Sequence, residues 1–153
     1  MITENEVRIA AAADRCFRIA ADVERWPDIL PHYRWVRFHR RDGFGRGLVE
    51  MAARRYFGGI GYPVWWMSEM WADPSVPLIR YRHVRGITRG MDVEWLFHPE
   101  GGGTQVRIVH EWPEGPGWPV IGELAADRVI GPLFIYRVAE RTLKGVKREA
   151  EGV

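Results

Sequence analysis

The sequence predicts an α+β fold: one curved antiparallel sheet of seven strands, with helices segregated near the two ends of the chain. Three observations carry this. Segments of alternating polar and apolar residues follow one another from about residue 34 to residue 112, separated by glycine- and proline-rich turns. Helical periodicity is confined to residues 11–30 and to the last 30-odd residues. No repeat, linker or low-complexity segment divides the 153 residues, which are expected to form a single domain over 1–153.

Residues 3–10 alternate, with Val7 and Ile9 on one face, and predict a strand. A helix follows over residues 11–23, with Asp14 as its expected N-cap and Phe17, Ile19, Ala20 and Val23 as its apolar stripe. The segment Arg25-Trp26-Pro27-Asp28-Ile29-Leu30-Pro31-His32-Tyr33 predicts a second, short helix from Asp22 or Glu24 to about Leu30. Its two prolines preclude a long regular helix, yet Trp26, Ile29, Leu30 and Tyr33 keep helical spacing. The period then switches to two, Val36 and Phe38 opposing Arg37 and His39. Asp42-Gly43 with Gly45 and Gly47 marks a turn. Strands are expected over residues 48–57, 63–71, 78–86, 91–98 and 104–112. Gly58-Gly59-Ile60-Gly61, Asp73-Pro74-Ser75-Val76-Pro77 and Glu100-Gly101-Gly102-Gly103 provide turns between them. Residues 120–151 read as helix, carrying Leu124, Ala125, Ile130, Leu133, Val138, Leu143 and Val146, with Gly131-Pro132 as a kink or a break.

Composition excludes several function classes. A formal net charge of +2, from 22 basic and 20 acidic residues, does not make the basic stripe that nucleic acid requires. The run Arg37-Phe38-His39-Arg40-Arg41 alternates and reads as a solvated face. The single Cys16 rules out an internal disulfide and a multi-cysteine zinc site. No stretch approaches the ~18 apolar residues of a membrane span, and the first ten residues lack the pattern of a signal peptide, so a cytoplasmic location is expected. Eight Trp residues are the outlier. Trp works best where an apolar body meets a polar tip. A curved sheet leaves volume under one terminal helix, so the surplus points to unusual core packing or to an aromatic-lined pocket.

The strand–helix–helix opening, the stretch "ADVERWPDILPHY", the Trp66/Ser68 strand, the "GGGTQVRIVHEW" hairpin and the terminal helix resemble the START/Bet v 1-like (helix-grip, SRPBCC) superfamily. Within it the chain is most similar to the polyketide cyclase/aromatase group, over roughly residues 3–151. The D-x-E-x-W-P-x-x-x-P-x-Y pattern ending at Tyr33 is the more specific signal; the hairpin pattern is common across the superfamily. The resemblance implies a hydrophobic tunnel under the terminal helix, holding a polyketide, lipid-like or isoprenoid molecule. It implies that the tunnel positions a poly-β-ketone chain for aldol closure and dehydration. Trp26, Leu30 and Tyr33 fall on pocket-end positions; Trp66 and Ser68 on a W-x-S-x-R strand; Met91 and Trp95 on wall positions; His110 on an acid/base position. Two departures stand out. Met70 occupies the position of the family Arg, and Thr142 that of a late-helix Asp.

Strand parity extends the set. If Trp66 and Ser68 face inward, so does Met70, while Trp65, Glu69 and Trp71 face out. Ile79, Tyr81, His83 and Arg85 share a face, as do Met91, Val93, Trp95 and Phe97, and Ile108, His110 and Trp112. The expected catalytic groups are His110 as acid/base, with Tyr33 and Ser68 as donors to ketone oxygens. The expected substrate-binding residues are Trp26, Leu30, Trp66, Met70, Tyr81, His83, Met91, Trp95, Ile108 and Thr142. Two His without a third ligand argue against a metal, and no cofactor is implied. Outward Trp65 and Trp71 fit a homodimer contact, a partner such as an acyl carrier protein, or cross-strand packing on Leu78 or Val84 in a monomer. Retained Tyr33, Ser68 and His110 favour an enzyme; Met70 favours a non-catalytic carrier or sensor of a lipid, quinone or isoprenoid.

Overall fold

Alternating side chains build the sheet that dominates the computed structural model, which describes residues 1–57, 60–115 and 131–152. Strand β1 (Ile2–Ile9) leads to helix α1 (Ala13–Ala21), a 3-10 turn (Val23–Arg25) and helix α2 (Trp26–Ile29). Six strands follow: β2 (Tyr33–Gly43), β3 (Arg46–Phe57), β4 (Ile60–Asp73), β5 (Leu78–Gly86), β6 (Asp92–Glu100) and β7 (Gly103–Glu111). Helix α3 (Gly131–Glu151) ends the described chain. The strands lie in the order β1-β7-β6-β5-β4-β3-β2, every pair antiparallel. This is the seven-stranded helix-grip arrangement that the sequence predicts, and α1 and α2 carry the chain from one edge strand to the other.

Period-two burial is clear along β6, where buried Val93, Trp95 and Phe97 alternate with half-buried Asp92, Glu94 and Leu96. Helix α3 covers the apolar face of the sheet and is pinned at its far end. Arg15 Nε donates to the Ala150 carbonyl (2.9 Å), and Lys147 Nζ to the Arg8 carbonyl (2.7 Å). Burying Leu143 and Val146 there supplies the hydrophobic driving force, about 2 kcal/mol for each fully buried aliphatic side chain.

Several boundaries differ from expectation. Helix α1 spans Ala13–Ala21 rather than 11–23, and its N-cap is Ala12, with no side-chain cap. Asp14 lies in the first turn and pairs with Arg18 at 3.3 Å. An acidic residue there still complements the positive end of the helix dipole, so the composition signal is displaced by two positions. Strand β4 begins at Ile60, before Pro63. Pairing with β5 starts only at Trp66, so Pro63 sits where one side of the strand has no partner for the missing N–H. Arg85, expected inward, is exposed because a bulge between Met67 and Ser68 shifts the β4–β5 register. The turn glycines 58 and 59 and the expected helix over 120–130, with Leu124, Ala125 and Ile130, lie outside the described residues.

Gly86 closes that bulge with φ +94°, a conformation L side chains rarely adopt, and a Cβ there would overlap the Trp65 carbonyl oxygen and Trp66 Cα. Gly86→Ala is expected to cost about 3 kcal/mol, from strain added to backbone displacement. Chemical denaturation checks this; a loss below about 0.5 kcal/mol would contradict the geometry.

Candidate functional site

The sheet and α3 enclose an apolar cavity of about 60 Å³. Strands β4 to β7 supply its floor, because parity directs Trp66, Tyr81, Val93, Trp95, Ile108 and His110 to one face. Its roof comes from Phe134, Ile135, Val138, Ala139 and Thr142 of α3, at helical spacing. Trp26 of α2 and Tyr33 of β2 close one end. They do so as a linked aromatic set: Trp26 lies 5.0 Å from Tyr33 and 6.0 Å from Trp95, and Tyr33 lies 6.0 Å from Trp66. Met51, Met91 and Thr88 complete the wall.

The polar groups of the cavity are neutral. His83 stacks on Trp66 (centroids 5.9 Å apart, 7° between planes), and its Nδ1 lies 2.5 Å from Thr88 Oγ1. Burial, with a smaller contribution from His110 nearby, pushes the His83 imidazole down to about 3. Burial alone takes His110 down to about 4, and its Nδ1 is enclosed without a partner among the described residues. The Tyr81 hydroxyl is likewise buried and unpartnered among them, and burial raises its phenol well above the usual range. Burial raises Tyr33 as well, offset in part by the Thr142 hydroxyl.

Behind that end wall, buried His32 lies 3.1 Å, through Nε2, from Thr142 Oγ1. The Thr142 hydroxyl also lies within hydrogen-bond reach of the Val138 carbonyl (2.8 Å). Burial, then the Arg141 charge, lowers His32 to about 4. No charged side chain lines the cavity among the described residues.

Ten of the expected residues meet at this cavity: Trp26, Tyr33, Trp66, Tyr81, His83, Met91, Trp95, Ile108, His110 and Thr142. Three do not. Ser68 is wholly buried, its Oγ unpartnered among the described residues, and the short side chain does not reach the cavity that Trp66, Tyr81 and His83 line around it. Met70 is buried farther along β4 and lines no part of the cavity. Leu30 fills the space that a Cβ on Gly145 would take, so it locks α2 to α3 rather than walling the cavity. Periodicity could not reveal Thr88, which sits in the turn between β5 and β6. On the outer face, Trp65 Nε1 donates to Glu50 Oε2 (2.5 Å), and half-exposed Trp71 carries the Arg46 guanidinium 3.7 Å from its ring centroid.

The sequence profile of the family described as polyketide cyclase/dehydrase and lipid transport matches residues 9–129. The chain belongs to the polyketide cyclase/dehydrase and lipid transport family. A protein of Streptomyces halstedii provisionally assigned as a polyketide cyclase is 31% identical over 102 residues, covering 65% of this chain and 91% of the relative. Two solved structures share the fold. The Zhui aromatase/cyclase from a Streptomyces species superposes with a TM-score of 0.82 at 24% identity, covering 99% of this chain and 93% of that one. A START superfamily protein from Mycobacterium smegmatis gives 0.73 at 17% identity, with 99% and 97% covered. The cavity of this polyketide cyclase family member lies between α3 and the sheet, and among the described residues no helix is long and apolar enough to cross a membrane.

Proposed function

We propose that the protein takes a poly-β-ketone chain into this cavity and promotes aldol cyclisation followed by dehydration. The observation that carries the reading is the meeting of two neutral imidazoles and an unpartnered Tyr81 hydroxyl on one apolar wall. An unprotonated nitrogen of His110 takes a proton from a methylene flanked by two carbonyls. The enolate carbon attacks a carbonyl farther along the chain, one C–C bond forms, and the alkoxide recovers the proton from the imidazolium. Loss of that hydroxyl with an adjacent hydrogen, as water, leaves the double bond on the way to an aromatic ring. Tyr33 and Tyr81 donate hydrogen bonds to the oxygens that gain charge, Tyr81 taking the part that sequence reasoning gave to Ser68. Trp26, Trp66, Met91, Trp95, Ile108 and Thr142 restrict the folding of the chain. The cavity volume of about 60 Å³ is well below the ~300–1,000 Å³ of pockets that hold drug-sized ligands, so the occupied form is wider.

A second reading, a carrier or sensor of a hydrophobic molecule, is favoured by the lack of a cation: no charged side chain lines the cavity among the described residues. Turnover of a carrier-linked poly-β-ketone separates the two. The enzyme reading predicts one dominant cyclic product; the spontaneous product mixture, unchanged by protein, would sink it. Native mass spectrometry showing a co-purified lipid or quinone would then support the carrier.

A further inference from the structure

A second concavity adjoins the cavity. Pro31 and His32, just after α2, face Arg141, Lys144 and Arg148 of α3 across a groove of about 280 Å³. The three cations recur at i, i+3 and i+7, so they share one helix face. Among the described residues, no carboxylate lines this groove. The larger groove on the outer face of the sheet has carboxylates in its own lining, where Glu69, Glu94 and Asp92 pair with Arg40, Arg80 and Arg82. Near the first groove, Lys144 pairs with Glu140 and Glu149 with Arg25, but neither carboxylate enters it. Its floor residue, His32, holds Thr142 at 3.1 Å, and Thr142 lines the apolar cavity. One hydrogen-bonded pair of side chains therefore links the lining of the groove to that of the cavity.

We propose that this groove binds the phosphate at one end of the ligand whose apolar chain occupies the cavity. The inference rests on the reading that the cavity holds such a chain, but not on any reaction there. Guanidinium groups bind phosphate oxygens in pairs, and an ammonium adds a point charge, which suits this set better than a neutral or cationic head. It also puts the anionic end of the ligand beside α2 and α3 rather than on the outer sheet face of Trp65 and Trp71. A phosphate of this kind belongs either to the phosphopantetheine arm of a carrier or to a lipid headgroup.

Isothermal titration calorimetry of the intact protein with hexanoyl-pantetheine phosphate, its dephosphorylated form and a lysophosphatidic acid tests the proposal. The phosphorylated thioester is expected to bind about tenfold tighter than the dephosphorylated one, with an advantage that shrinks as salt rises. Lys144→Gln and Arg148→Gln replace exposed side chains, and each is expected to erase most of that advantage while leaving the dephosphorylated probe unaffected. Equal affinity for the two thioesters, or an advantage untouched by both variants, overturns the proposal. Tighter binding of the lysophosphatidic acid, with the same dependence on Lys144 and Arg148, would keep the groove as a phosphate site and make a lipid its source. Failure of cyclisation with phosphate binding intact would overturn the enzyme reading alone.

Discussion

Acidification from about pH 7 to about pH 4.5 is expected to remove several kcal/mol of stability, through His32, His83 and His110. All three have folded-state values well below the ordinary 6.5: about 4, about 3 and about 4. The unfolded chain therefore binds protons first. Their contribution is fully present above pH 6.5 and is lost as the pH falls toward the folded values. Each tenfold weakening of proton affinity on folding is worth about 1.4 kcal/mol per group, so even one of the three can account for a few kcal/mol. Glu50, Asp73 and Glu151 are held low by hydrogen bonds from His39, Ser75 and Ala10, and their loss sets in only near the ordinary carboxylate range. The window between about pH 6.5 and 5 thus isolates the histidines. Denaturant midpoints across that window measure the proton uptake on unfolding. A value near or above two protons is expected. Uptake near zero would mean that the imidazoles are solvated, and His83→Gln should lower the slope by about one proton.

Replacing His110 by Ala is expected to lower turnover of a carrier-linked poly-β-ketone by about 10²- to 10⁴-fold, the usual contribution of a positioned acid/base group. Stability should respond less than to an ordinary core truncation. His110 Nδ1 is enclosed without a partner among the described residues, so that nitrogen gives up no hydrogen bond on removal. The variant should stay within about 1 kcal/mol of the parent at neutral pH and lose less on acidification. Tyr81→Phe provides a second arm, expected to cost about 10²-fold in turnover if its hydroxyl serves the developing oxyanion. Retained turnover in both variants, with the fold intact by circular dichroism, would remove the acid/base role and leave the carrier reading.

Alternation in β4 and β6 made Trp66 and Trp95 legible as cavity residues, because a strand has only two faces and one is buried. The same rule failed for Ser68 and Met70, because parity gives a direction and says nothing of depth. Leu30 carried the helical spacing of a wall residue, but a glycine 115 positions later opens the notch it fills. Thr88 and the His32–Thr142 bond could not be foreseen: one lies in a turn with no period, and the other joins residues 110 apart.

The path of α1 and α2 between opposite edges has a kinetic consequence. Because β1 pairs with β7 alone among the described strands, Ile2–Ile9 must find Thr104–Glu111 across about 100 residues. During synthesis the first strand emerges long before any partner for it exists. Closing such a loop costs chain entropy before a single ladder bond repays it, which places folding among slow, non-local β topologies, in milliseconds to seconds. Until β7 arrives, the apolar Val7 and Ile9 of β1 have no sheet to join and stay open to non-native association.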